Sequence, residues 1–475
     1  MARRGSVREK QLKLASEPPP RLPRRLRLQV LCDDELEQMR LGALTVLLDT
    51  GIRIDDAPSR QMLLATGECR EGDGGFIHFG NDLVNRALET VAPRIKLYDR
   101  TGDLRVDTHG DTLSFSPGRN CVNTLDHVSQ EIRPCLLDDI KNIGKVCEAL
   151  DHIDAVGSLG YPQDVPAEEE ALITLKTLAA ETTKPIAFIG HDEVETGAMW
   201  EFLADSVGGW DALADKPCGM DLTGPLSPLR VPEETCRRVR FAAERNVPVV
   251  CYPALFPGMS GPVTLAGSVV QATVESLAGI VLNQLERPGA PIMAGASILP
   301  MDMRQADLAY GSPEYSMAGI MSVQFLEYLG IPSWVGAGCS DAHTVDQQAA
   351  AEAGGNMLSA ALSGTAFIHN LGMLAGGRTG SIEMLVLADE IAGSVTKYAA
   401  GVTVNADTIA TDVVHRAAAN NEFLMDQHTQ DNYMGEAWMP RLFQRSDKDA
   451  WIEAGRHDMR DRISDKLNDI LCGDT

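Results

Sequence analysis

A chain of 475 residues with 44% hydrophobic content can bury a large core, and its length fits several domains or one barrel with additions. Residues 1–30 hold nine Lys or Arg and two Glu, so the remainder carries 33 basic against 65 acidic side chains, a net of −32 that repels nucleic acid. No apolar run near about eighteen residues is free of breakers and charges, which argues against a membrane span. Ten cysteines scattered without a CxxC fit a reducing cytoplasm rather than a disulfide scaffold.

The first segment, MARRGSVREKQLKLASEPPPRLPRRLRLQV, has paired arginines but no apolar run behind them, unlike an export signal. It reads as an extended arm, residues 1–30, stiffened by EPPPRLP and laid on the acidic body or on a neighbouring subunit. Residues 31–105 predict a helical lead-in, with DDELEQMRLGALTVLLDTGI and NDLVNRALETVAP as its amphipathic stretches.

From 106 to 400, short apolar runs alternate with amphipathic helical ones. The strands are TLSFS (112–116), DAVGSL (154–159), PIAFIG (185–190), CGMDLT (218–223), VPVVCYP (247–253), APIMAG (290–295), IPSWVGAG (331–338) and TAFIHN (365–370). A legible helix follows each, from LDDIKNIGKVCEAL to SIEMLVLADEIAGSVTKYAA. Eight strand and helix pairs in strict alternation predict an α/β fold, a (β/α)8 TIM barrel, with 401–475 as a C-terminal helical extension packed on it or docking a partner. No GxGxxG or Walker loop follows any strand, which weakens a nucleotide-binding alternative.

Active sites of that fold lie where strands end. The ends supply Tyr161, His191, Tyr252, Ser297, the run GAGCSDAHTVDQQ (336–348) and then His369 with Asn370. Cys339 and His343 are spaced as ligands on one helical turn, but no third metal ligand belongs to a recognisable motif, and no metal is predicted. DAHTVD (341–346) is similar to the DxHxxG of corrinoid-binding domains, yet Asp346 stands where glycine should be, so no tightly bound corrinoid is expected in this chain. Glu275, in the apolar stretch QATVESLAGIVL, needs a partner, structural or catalytic. The aromatic candidates for holding a cation are Phe115, Tyr161, Tyr252, Phe256 and Trp334.

Four stretches carry a resemblance: SGPVTLAGSVVQATVESLAGIVLNQLERPGAPIMAG, YGSPE (310–314), GAGCSDA with DQQAAAE after it, and GxxxxHNLGML ending at Leu374. Through them the chain resembles the trimethylamine methyltransferase family of corrinoid-dependent methyltransferases. Archaeal members that demethylate trimethylamine place pyrrolysine directly before the SDA, and here that position is Cys339. Members without pyrrolysine look like quaternary amine methyltransferases, acting on compounds such as glycine betaine, proline betaine or carnitine. The resemblance implies methyl transfer to cob(I)alamin on a separate corrinoid protein, with a tertiary amine released. From the residues and the resemblance together, Asp341, His369 and Glu275 are the catalytic candidates, and Phe115, Tyr161, Tyr252, Phe256, Trp334, Cys339, His343 and Asn370 the substrate-binding ones. A cytoplasmic homo-oligomer is expected. Two alternatives stay open: trimethylamine as the substrate, and a protein that binds quaternary ammonium compounds without catalysis.

Overall fold

The computed structural model describes residues 21–109, 111–419 and 421–473. Residues 21–30 run extended over the body, and the rest of the predicted arm lies outside the described residues. Arg21 pairs with Asp154, Arg24 donates to the Thr365 carbonyl, and Arg27 meets Glu327 at 2.7 Å. Asp154 and Thr365 open two of the predicted strands, so the arm crosses the N-terminal ends of those strands. Its positive charge there offsets a carboxylate, Asp154, whose pKa burial raises.

The lead-in departs from the all-helical expectation. Helices Asp33–Thr45, Ala57–Ala65 and Asn81–Thr90 form, but Ile52–Ile54, Phe76–Phe79 and Cys69–Glu71 make an antiparallel sheet between them, which Arg230–Val231 joins in parallel. Ile52, Ile54, Ile77 and Phe79 are buried at alternate positions. Strands of three or four residues are too short for a period of two to stand out in sequence. The entry turn is fixed by Gly51 at φ 74°, where a Cβ would meet the Ile77 carbonyl oxygen at 2.5 Å.

Beyond it the alternation predicted from sequence holds, and the fold is mixed α/β. Ile186–Phe188, Gly219–Thr223, Val249–Cys251 and Ile292–Ala294 pair in parallel, in that order. A second parallel set joins Val335–Gly336, Phe367–Leu371 and Ser114–Pro117. Single parallel bridges connect Phe115 to Ile153, Val156 to Ile186 and Ala294 to Ser333. The segment 154–159 therefore contributes a single bridge, at Val156, rather than a strand. Helices Leu137–Ala149, Glu170–Glu181, Glu193–Val207, Glu233–Arg245, Leu265–Glu286, Pro313–Tyr328, Gln347–Ser363 and Ile382–Ala399 occupy the eight predicted positions.

Alternation along these strands divides the core in two. Ala187, Met220, Val250, Met293, Trp334 and Phe367 form one cluster with Ile95, Leu97 and Val106 from the hairpin Lys96–Tyr98 and Leu104–Asp107. Their strand neighbours Ile186, Val249, Cys251, Ile292, Val335 and Ile368 belong to the larger cluster shared with the helices. With both faces covered, strands such as Ile186–Phe188, Val249–Cys251 and Ile292–Ala294 are unbroken apolar runs, which is why they read so plainly.

The helix Leu265–Glu286 is long and apolar enough to cross a membrane, yet 72% of its apolar window is buried inside the protein. In the C-terminal extension, the helix Met459–Cys472 buries Ile463 and Leu467 and packs on Leu137–Ala149 and Ile382–Ala399. Truncating either side chain to Ala should cost about 2–5 kcal/mol.

Candidate functional site

At the end of Val335–Gly336 the chain turns through Gly338, at φ 72°, where a Cβ would meet Leu371 and Met357 at 2.8 Å. The turn delivers Cys339, and Asn356 of the next helix locks it: Oδ1 accepts from the Gly338 N–H at 2.7 Å, and Nδ2 donates to the Cys339 carbonyl at 2.8 Å. Cys339 is fully buried, and burial pushes its thiol far above the ordinary range. It is a neutral thiol, not an activated nucleophile.

Three tyrosines neighbour it closely enough to be felt electrostatically: Tyr252, Tyr310 and Tyr315. Tyr252 follows the strand Val249–Cys251, while Tyr310 and Tyr315 bracket the start of Pro313–Tyr328 with ring centroids 4.9 Å apart. Burial pushes all three phenols upward, so they stay protonated. Asn370, held at φ 78°, reaches the Tyr315 hydroxyl at 3.5 Å.

His369 lies in Phe367–Leu371, 3% exposed, with Nε2 3.0 Å from the Tyr252 hydroxyl and its ring 3.9 Å from the Trp334 ring centroid. Burial first, and then the charge of Arg119, hold the imidazole well below its ordinary pKa, so it is neutral at neutral pH. A Tyr252 hydroxyl that donates to Nε2 leaves the ring proton on Nδ1. Arg119, 6% exposed, places its guanidinium 4.6 Å from the Trp334 centroid and donates from Nε to the Ala187 carbonyl at 2.9 Å.

Tyr252, Trp334, Cys339, His369 and Asn370 are thus brought together with Asp341 bracing them, Tyr161 lies beside Arg119, and Phe115, Phe256, His343 and Glu275 stand apart. Phe115 packs in the outer cluster, its alternate neighbours Ser114 and Ser116 being the ones turned the other way. Phe256 is partly buried against that same outer cluster. Tyr161 lines a cavity of about 290 Å³ with Arg119, Asn120, Glu170 and His191. His343 is exposed and does not face buried Cys339, because residues 339–345 are not helical; the helix starts at Gln347, capped by Asp346, which accepts from the Ala349 N–H.

Glu275 finds its partners away from the site. It accepts from Ser227 Oγ at 2.6 Å, the Leu229 N–H at 2.9 Å and Gln271 Nε2 at 3.0 Å, and so anchors the 227–229 loop. Asp341 is also a brace, accepting from the Tyr310 and Gly311 N–H groups at 2.7 and 2.8 Å and so tying the tyrosine-bearing loop to the Cys339 turn.

Sequence reasoning missed Arg119, Tyr310 and Tyr315. The two tyrosines stand in YGSPEY, a stretch read only as part of a motif. Arg119, in SPGRN, carried no signal of its own. Together the residues form a buried, uncharged aromatic wall beside one buried guanidinium. Such faces suit a cation, at about 0.5–2 kcal/mol per well-placed ring. Among the described residues no group of three or more His, Cys, Asp and Glu could hold a metal ion.

Comparison with known proteins bears on the chain as a whole. The chain is 29% identical over 428 residues to the glycine betaine methyltransferase of Desulfitobacterium hafniense (strain Y51), covering 89% of this chain and 88% of that protein. It is 28% identical over 443 residues to the trimethylamine methyltransferase MttB of Desulfitobacterium hafniense (strain DSM 10664 / DCB-2), covering 92% and 88%. The crystal structure of Methanosarcina barkeri monomethylamine methyltransferase (MtmB) shares the fold, with a TM-score of 0.51 at 12% identity over 94% of this chain and 89% of that one. A family model described as trimethylamine methyltransferase (MTTB) matches residues 2–474, and the chain belongs to that family.

Proposed function

We propose that the protein is a corrinoid-dependent methyltransferase that moves one methyl group from a betaine-type quaternary amine to a separate corrinoid protein. The observation that carries this is the neutrality of the wall around Cys339. Burial keeps Tyr252, Tyr310, Tyr315, Cys339 and His369 uncharged. Cob(I)alamin on the partner supplies the nucleophile that takes the methyl group, and the nitrogen keeps its bonding pair and leaves as a neutral tertiary amine. No proton has to move. Protonated trimethylamine would need a group to take its proton, and the residues around Cys339 are poorly placed for that task. What remains for this chain is to hold a desolvated cation against aromatic faces and to fix the methyl in line.

The same reading places the site at the mouth of a closed (β/α)8 barrel over residues 106–400. The bridges at Ile153, Val156 and Ser333 support closure, as does the inner cluster to which the strands contribute alternate residues. The corrinoid protein would approach that mouth.

The test mixes the purified chain with cob(I)alamin and, separately, glycine betaine, proline betaine, carnitine or trimethylamine, following methylcobalamin formation by absorbance. Transfer from a quaternary amine and a negligible rate with trimethylamine are expected. Equal rates with both would remove the argument from Cys339.

A further inference from the structure

Arg119 is a buried cation that lacks a counter-ion. Its Nε is used by the Ala187 carbonyl, but its Nη2 has no hydrogen-bond partner and no carboxylate forms an ion pair with it among the described residues. Burial alone pulls its pKa down, to about 9, with only Tyr252 working the other way. An arginine that deep is normally paired, since a desolvated charge without a partner is costly. Two further polar atoms in direct contact with it or with its neighbours are also unpaired and buried: Trp334 Nε1 and His369 Nδ1. Three unpartnered buried polar groups in one contact cluster, one of them a guanidinium, point to a ligand-binding position.

The surroundings restrict what that ligand is. Arg119 lines the cavity of about 290 Å³ together with Asn120, Ser158 and Tyr161. Glu170 and His191 also line it, 3.7 Å apart, and Glu170 is engaged by Thr174 Oγ1 at 2.8 Å. A single guanidinium with a free Nη edge suits one planar monoanion better than a phosphate dianion, which would need more charge. Arg119 also contacts Trp334, which contacts Tyr252, so the anion position adjoins the aromatic wall where a quaternary nitrogen would sit.

The geometry points to Arg119 as the specificity-determining residue that binds the carboxylate of a zwitterionic quaternary amine, with the cavity beside it taking that end of the substrate. This rests on the methyl-transfer reading above. It explains why the site would select betaines over choline, which presents the same cation with no carboxylate. It also gives Arg119 a counter-ion only when substrate is bound.

The test compares Arg119→Met and Arg119→Lys with the unmodified protein. Methyl transfer to cob(I)alamin is measured with glycine betaine, proline betaine, carnitine, choline and tetramethylammonium, and binding of the same compounds is measured by calorimetry on the chain alone. Arg119→Met should lower kcat/KM and affinity for the carboxylated compounds at least tenfold, leave those for choline and tetramethylammonium level or higher, and leave the melting temperature level or higher. Arg119→Lys should recover part of the carboxylate preference. Equal losses on charged and zwitterionic substrates, or a fall in melting temperature matching the activity loss, would make Arg119 a structural group and overturn the inference. A preference of the unmodified protein for choline would overturn it as well. Failure of every quaternary amine to give transfer or binding would instead overturn the proposed function.

Discussion

Asp341 can be tested as a brace. Its two carboxylate oxygens hold the Tyr310 and Gly311 N–H groups, and its own N–H donates to Glu352 at 2.9 Å. Burial raises its pKa more than those bonds lower it, so charge is not what stabilises it here; the paired acceptor oxygens are. Asp341→Ala removes both. At about 1 kcal/mol net for each bond, and with water able to reach a half-buried position, the loss should be about 2–3 kcal/mol. Asp341→Asn keeps one acceptor and turns an amide N–H toward the other donor, so about half that loss is expected. Tyr310 should then leave the wall around Cys339. A displacement that removes about 1.4 kcal/mol of substrate holding lowers kcat/KM tenfold. Thermal melting and methyl transfer, measured on the same preparations, check both numbers. An Asp341→Ala protein that melts within a degree of the original and transfers methyl within twofold would refute the bracing argument.

The other predictions concern three buried groups. His369→Ala should lower methyl transfer at least about tenfold and also lower the melting temperature: at 3% exposure its removal empties space between Tyr252 and Trp334, at about 2–3 kcal/mol. A stable, fully active variant would exclude His369 from the site. Glu275→Leu should cost about 2–4 kcal/mol of stability by stranding the Leu229 N–H and Ser227, with specific activity of the folded fraction within about threefold; a stable but inactive protein would restore Glu275 to catalysis. Burial, opposed by the His152 N–H and Lys184 and aided by Glu390, pushes Asp389 up to about 7. Because an acid with a raised pKa favours the neutral form in the folded state, stability falls as pH rises from the ordinary 3.8 through 7, by at most about 1.4 kcal/mol per pH unit. Asp389→Asn, which still accepts the His152 N–H, should gain melting temperature at pH 8 and not near pH 4; an equal difference at both would contradict the assignment.

What could be read ahead of the structure followed from how each signal is encoded. The parallel strands are buried on both faces, so Val249–Cys251 and Ile292–Ala294 appear as unbroken apolar runs that no solvated element would carry. The lead-in strands are too short for their alternation to register, and helices flank them, so they were absorbed into a helical reading. The spacing of Cys339 and His343 has no structural counterpart for a definite reason: four residues make one turn only inside a helix, and Asp346 starts that helix after both of them. The sequence did show that Glu275 requires a partner. It could not show that the partner is a loop nearly fifty residues earlier, since a hydrogen bond to Ser227 leaves no local trace.

Arg119 is the extreme of this kind. Its consequence comes from being held over Trp334, just before Val335–Gly336, and beside His369, in a place where among the described residues no acidic side chain pairs with it. Local sequence supplies only an arginine in a loop, which is usually solvated. Only assembly turns it into an unpaired buried charge, and that is a state the fold can maintain at tolerable cost if substrate binding completes it. The same logic joins it to Cys339. With a neutral thiol at that position and neutral phenols around it, the cation beside the wall is Arg119, while the Asp341 carboxylate is engaged by the Tyr310 and Gly311 N–H groups, so attraction for the anionic end of a substrate and tolerance of its cationic end are separated in space. A cation with no anionic partner gains only the aromatic faces, whereas a zwitterion gains both, and the difference should appear as selectivity between betaines and choline rather than as the rate of the methyl transfer itself.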